Sequence, residues 1–114
     1  MGINIRESLA ADVPVMMLLV KELAEYENAP NEVSNTEAQM LKDGFGDNPI
    51  FGGFVAEKDG EIIGLSIYYY RYSTWKGRRM YLEDLVVSEA MRGLGAGKML
   101  FEATIAKGKE EGCT

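Results

Sequence analysis

Three glycines at alternate positions, Gly93, Gly95 and Gly97, separate an apolar run ending at Val87 from a segment of helical periodicity. A backbone without Cβ atoms at those points can turn tightly from a strand into a helix and can admit a ligand at close range. The surrounding chain is therefore expected to form a strand–loop–helix unit. The N–H groups of the first helical turn have no intrahelical partner and lie at the positive end of the helix dipole, so they suit phosphate oxygens. Arg92 and Lys98 flank the loop with positive charge. The spacing is not that of a Walker A loop, because three residues separate Gly93 from Gly97 and Met99 follows Lys98. A dinucleotide fingerprint would need glycine where Lys98 stands. A loop that served only to pack helix against strand would leave Arg92 without a reason.

The rest of the 114 residues supplies one domain, 1–114, around that unit. Ile3-Asn4-Ile5-Arg6 alternates as a short strand does. Asp12 is placed to cap a helix with Pro14 in its first turn. Met16, Leu19, Val20 and Leu23 give that helix one apolar stripe, and it is expected to run to about Glu27 before Pro30. Ser34 with Glu37 fits a capping box for a short second helix ending near Gly44. Strands are expected over Phe51–Lys58, Glu61–Ser73 and Met80–Val87, the first two joined by the Asp59-Gly60 turn. Gly93 to Gly97 then opens a last helix with Ala96, Met99, Leu100, Ala103 and Ala106 on one face.

Composition narrows the chemistry. There is no histidine, so a Ser-His-Asp triad and every histidine-ligated metal site are excluded. A general base must come from Glu, Asp, Tyr, Lys or a terminal amine. Twelve Lys and Arg against 18 Asp and Glu give a net charge of −6, which argues against nucleic acid and suits a cationic small molecule. The single cysteine, Cys113, permits no disulfide within the chain and favours a reducing compartment. No run approaches the roughly 18 apolar residues of a membrane span, and no basic leader is visible. The expectation is a cytoplasmic protein without a membrane partner.

Tyr81-Leu82-Glu83-Asp84-Leu85-Val86-Val87 is the second unusual segment. Two carboxylates stand inside an apolar strand, where unpaired charge is costly to bury. Neighbours in a regular strand face opposite ways, so Glu83 and Asp84 are expected to do different jobs, and a bulge would change which does what. An edge strand with one solvated face is the plain alternative.

Arg92-x-x-Gly95-x-Gly97 after a strand resembles the acyl-CoA pyrophosphate signature of the GCN5-related N-acetyltransferases (GNAT). Lys21-Glu22-Leu23-Ala24-Glu25-Tyr26-Glu27, Asp43-Gly44-Phe45-Gly46-Asp47-Asn48-Pro49, Tyr72-Ser73-Thr74-Trp75-Lys76-Gly77 and Tyr81-Leu82-Glu83-Asp84 are similar to the diamine (spermidine/spermine) and thialysine branch of that family. The likeness runs from about Ile3 to Cys113. It implies an α/β fold with a mixed, mostly antiparallel sheet flanked by helices, and acetyl transfer from acetyl-CoA to a primary amine without a metal.

By the same resemblance, Gly93, Leu94, Gly95, Ala96, Gly97 and Lys98, with Arg92, would hold the CoA pyrophosphate. Leu85, Val86 and Val87 would offer backbone groups to the pantetheine arm. Glu83 would bind the amine and draw off its proton as the catalytic base, and Tyr26, Glu27, Asp84 and Trp75 would contact the rest of the substrate. The family continues beyond Gly112-Cys113 with a further strand, a helix and two strands. The resemblance therefore implies that the C-terminal part of the fold, with its general acid, lies outside these residues. It also implies a homodimer. A non-catalytic half-domain, binding CoA weakly or associating through its open sheet edge, is the alternative.

Overall fold

Asp59 and Gly60 both take positive φ, 52° and 82°, the pair of left-handed conformations that a two-residue type I′ turn demands. In the computed structural model, which describes residues 2–113, this turn joins β2 (Gly52–Lys58) to β3 (Glu61–Ser73). β1 (Asn4–Glu7) pairs with β2, and β4 (Gly77–Val87) pairs with β3. The sheet order is β1-β2-β3-β4, and all three pairings are antiparallel. Helices α1 (Val13–Tyr26) and α2 (Glu37–Phe45) lie between β1 and β2 in the chain, and α3 (Ala96–Glu110) follows β4. This is the α/β arrangement and element order that the sequence predicts. The end residues Met1 and Thr114 of the expected 1–114 domain fall outside the described residues.

Alternation along the strands divides the apolar residues between two faces. Val55, Leu65, Ile67 and Val86 pack under Val13, Met16, Met17 and Leu19 of α1 and Met40 of α2. Ala56 and Ile63 pack under Ala96 and Leu100 of α3. Val55 and Ala56 are chain neighbours, fully buried on opposite sides. Among the described residues, no helix is long and apolar enough to cross a membrane.

Local detail differs from expectation at several points. α1 ends where expected, at Tyr26 with Glu27 as its C-cap, but what ends it is the left-handed φ of 58° at Asn28 rather than Pro30. Asn28 N–H then donates to Glu25 O (3.0 Å) and Ala29 N–H to Ala24 O (2.8 Å), a Schellman closure complete before Pro30. α2 is capped by Thr36, whose Oγ1 accepts from Gln39 N–H at 3.1 Å, rather than by Ser34. β4 begins at Gly77, three residues early, because pairing with β3 extends to Ser73↔Gly77. On α3 the buried positions are Ala96, Leu100, Thr104 and Gly108, a row at four-residue intervals that leaves Met99 and Ala106 exposed.

Asp12 does not cap α1 with its side chain. Its carboxylate instead takes both terminal nitrogens of Arg6 (Nη1 at 2.7 Å, Nη2 at 2.9 Å) and the Leu9 N–H at 2.7 Å. Arg6 Nε reaches Glu57 Oε1 at 2.9 Å, so a single guanidinium ties β1, β2 and the start of α1 together. The Arg6 hydrogen bonds hold the Asp12 carboxyl below its ordinary value, against the opposing effect of burial. Such a depressed group stabilises the fold above its unfolded pKa, and the contribution is lost as pH falls through its folded value. Asp12→Asn should therefore cost roughly 1.5–3 kcal/mol at neutral pH. Urea midpoints of the two proteins should converge once the pH is well below about 4.

Candidate active site

The register between β3 and β4 slips at one point: Ile67 stands opposite Asp84, but Tyr68 stands opposite Leu82. Glu83 is the extra residue of a β-bulge. The bulge breaks the face alternation along β4. Asp84 shares the α1 side of the sheet with Ile67, whereas Leu82 shares the α3 side with Tyr68. Glu83 is exposed at the bulge and Asp84 is half-buried. Burial pushes the Asp84 carboxyl up, and the negative charges of Glu83 and of Glu27, at the end of α1, push it further. The carboxylates of Glu27, Glu83 and Asp84 thus form one acidic neighbourhood where α1 ends beside the bulge.

Next to it, β4 ends in Leu85, Val86 and Val87, and a short 3₁₀ turn, Glu89–Met91, leads to the glycine loop. Glu22 of α1 pins that turn, its Oε2 accepting from Glu89 N–H at 2.9 Å. Gly93 and Gly95 take φ of 89° and 87°, and the space where a Cβ would stand is open at both. Gly95 is the N-cap of α3, so the first-turn N–H groups of Ala96, Gly97 and Lys98 point away from the helix without an intrahelical acceptor. The result is a cleft of about 500 Å³ lined by Tyr26, Leu85, Val86, Val87, Arg92, Gly93, Gly95, Ala96 and Gly97.

The structure thus gathers nine of the residues singled out from the sequence into one concavity. Leu94 and Lys98 are exposed and do not line it. Arg92 is not free over the loop: its guanidinium carbon lies 5.0 Å from the Tyr26 ring centroid, and Nε donates to Val87 O at 3.3 Å. It binds loop, strand and α1 together. Trp75 is not brought here. It is 93% exposed at the tip of the β3–β4 hairpin, about 20 Å along β4 from Glu83 at the usual strand rise. The extended pairing that starts β4 at Gly77 carries it outward. Leu23 and Met91 line the cleft as well. The sequence held signals for both, since Leu23 precedes Tyr26 by one helical turn and Met91 adjoins Arg92. Among the described residues no group of three or more His, Cys, Asp or Glu side chains is placed to hold a metal ion.

Because the Asp84 carboxyl is raised in the folded chain, its charged form works against folding. That cost grows as pH rises from the unfolded value to the folded value and is complete above it. Asp84→Asn should accordingly raise the Tm by a few degrees at pH 7, and the gain should vanish well below pH ~4, as thermal scans across pH will show.

The comparisons with known proteins agree with this architecture. A model of the acetyltransferase (GNAT) family matches residues 17–114. Thialysine N-epsilon-acetyltransferase of Bos taurus is 37% identical over 120 residues, covering 98% of this chain and 71% of that protein. Spermidine/spermine N(1)-acetyltransferase-like protein 1 of Homo sapiens is 41% identical over 101 residues, covering 82% of this chain and 14% of that protein. Among solved structures, an aminoglycoside acetyltransferase from an uncultured soil metagenomic sample, in complex with sisomicin, superposes with a TM-score of 0.79 at 22% identity. It covers 98% of this chain and 73% of its own. The aminoglycoside N-acetyltransferase AAC(6')-Iy in complex with CoA gives a TM-score of 0.75 at 22% identity, covering 98% and 72%. The structural likenesses carry the fold, and the family match over most of the chain carries the identity: the chain belongs to the GNAT acetyltransferase family.

Proposed function

We propose that the chain transfers an acetyl group from acetyl-CoA to a primary amine of a small polyamine- or thialysine-like cation by direct attack on the thioester. The observation that supports this best is the single cleft that joins the glycine loop, the end of β4 and Tyr26. Glu27 and Asp84 are next in the chain to its lining residues Tyr26 and Leu85, and Asp84 is electrostatically coupled to both Glu27 and Glu83. The residues present fit an acyl-CoA. Gly93 and Gly95 leave open space where side chains would stand, and the first-turn amides of α3 suit pyrophosphate oxygens. β4 is the last strand of the described sheet, so the backbone groups on its outer edge, around Leu85, Val86 and Val87, are available to an extended amide-bearing arm.

The bound thioester supplies an acyl carbon that a neutral amine can attack. An alkyl ammonium, with a pKa near ~10.4, must first lose a proton. Glu83, exposed at the bulge, takes that proton directly or through a water. Glu27 and Asp84 make the mouth negative and draw the ammonium in, and a raised Asp84 carboxyl also lies nearer the amine in basicity than an ordinary carboxylate does. Tyr26 forms the wall opposite the glycine loop. Backbone N–H groups of β4 stabilise the developing oxyanion. The nitrogen gains the acyl carbon as the C–S bond breaks. CoA leaves as its thiolate, which takes up the proton the new amide nitrogen sheds, directly or through water, with no covalent enzyme intermediate. The reading includes a homodimer, on the strength of the family resemblance.

Two variants test it. With acetyl-CoA and either spermidine or thialysine, Glu83→Gln should lower kcat/KM about 100-fold at pH 7 while CoA binding persists. Gly95→Val, which puts a branched side chain at a φ of 87°, should weaken CoA binding at least tenfold in a calorimetric titration. Unchanged turnover in the first variant would remove Glu83 from the mechanism. CoA binding by the unaltered chain without transfer to any amine would favour the non-catalytic half-domain.

A further inference from the structure

The β3–β4 hairpin carries a charge pattern that the acetyl-transfer reading does not use. Between Ile62 and Leu82 there is no acidic residue, yet Arg71, Lys76, Arg78 and Arg79 lie there, in a chain whose net charge is −6. Arg71 stands directly opposite Arg79 across the antiparallel pair. Like charges in that position repel and weaken a sheet. Among the described residues neither of the two forms an ion pair. Arg78, one residue away and on the other face, is by contrast satisfied: its guanidinium meets Glu111 Oε1 at 3.5 Å and stacks 4.1 Å from the Tyr70 ring centroid.

The pair is also built into a concavity. Arg71, Ser73, Thr74, Arg79 and Tyr81 line a depression of about 600 Å³ near the hairpin end. The Tyr81 ring lies 5.2 Å from the Arg71 guanidinium carbon, which orients that side chain, and Tyr81 packs in turn on Tyr69 at 5.2 Å between centroids. Ser73 Oγ accepts from the Trp75 and Lys76 N–H groups (3.2 and 3.1 Å), which closes the turn of the connection and leaves the hydroxyl hydrogen free to donate. Two guanidinium-bearing and two hydroxyl-bearing residues lining one depression supply the planar, multidentate donors that an oxyanion takes.

We propose that Arg71 and Arg79, with the Ser73 and Thr74 hydroxyls, form a binding site for the carboxylate or phosphate group of a small molecule, separate from the glycine-loop cleft. The anion relieves the repulsion between the two arginines and supplies the negative charge that the hairpin lacks.

Titration of the isotope-labelled 114-residue chain with inorganic phosphate and, separately, with glutarate tests this by NMR. Saturable shifts are expected at the Nε–H signals of Arg71 and Arg79 and at the Ser73 and Thr74 amides. The Arg71→Gln/Arg79→Gln variant, changed only at exposed positions, should weaken that binding at least tenfold with its circular dichroism unchanged. A response to one probe alone supports the site and assigns it to that oxyanion. The proposal is overturned if neither probe gives saturable shifts there, or if the double variant binds as tightly as the unaltered chain. Shifts at Gly93 and Gly95 report phosphate at the other cleft, so that reading and this one fail independently.

Discussion

β3 is covered on both faces, and the rest of the molecule is arranged around that fact. Ile63 through Tyr68 are all buried, with Leu65 and Ile67 under α1 and Ser66 under α3. The α3 side is not purely apolar: Ser66 Oγ and Thr104 Oγ1 lie 3.0 Å apart, and Thr104 donates onward to Leu100 O at 2.8 Å. Ser66 is then the donor of the shared bond, and the buried hydroxyls are satisfied. Losing the Thr104 hydroxyl would strand that of Ser66 in a dry interface, which costs more than the net value of the bond. This pairing fixes α3 along β3, and α3 in turn fixes where the glycine loop must leave β4.

Both helical layers thus converge on the end of β4. α1 reaches it from one side with Leu23, Tyr26 and Glu27, and α3 begins there from the other with Ala96 and Gly97. The cleft is what remains between them, and the contacts of Arg92 with Tyr26 and Val87 hold its two walls at a set distance. The Arg6 junction does the corresponding work at the opposite end of α1, where Asp12 and Glu57 share one guanidinium. A helix anchored at both ends presents its terminal residues in a defined place.

Electrostatic tension is concentrated at two points of β4, and both follow from strand geometry. At the bulge, Glu83 and Asp84 crowd near Glu27, and burial of Asp84 opposes its ionisation. Four residues before the bulge, Arg79 of β4 meets Arg71 of β3, placing two positive charges opposite each other. Each is unfavourable in the isolated fold and becomes favourable beside a group of opposite charge. Sites that bind charged ligands commonly carry such tension.

The sequence by itself determined the features set by short-range chemistry. Asp59-Gly60 had to be a tight hairpin turn because few residue pairs tolerate two left-handed conformations in succession. The glycine spacing of 93–97 had to be a strand-to-helix loop with an open helix end, and the stripe Met16, Leu19, Val20, Leu23 had to face a core. Ser34-x-x-Glu37 and Thr36-x-x-Gln39 satisfy the same capping pattern, so local chemistry could not choose between them; in the folded chain Thr36 is the cap. Tertiary structure alone decided the bulge at Glu83, since nothing in Tyr81-Leu82-Glu83-Asp84 distinguishes a bulged strand from a regular one. The register is set by which β3 residues must be buried, and one slipped residue reassigns which carboxylate faces α1. The remoteness of Trp75, the engagement of Arg92 with Tyr26 and the meeting of Arg71 with Arg79 likewise depend on residues that come together only when separated segments pack.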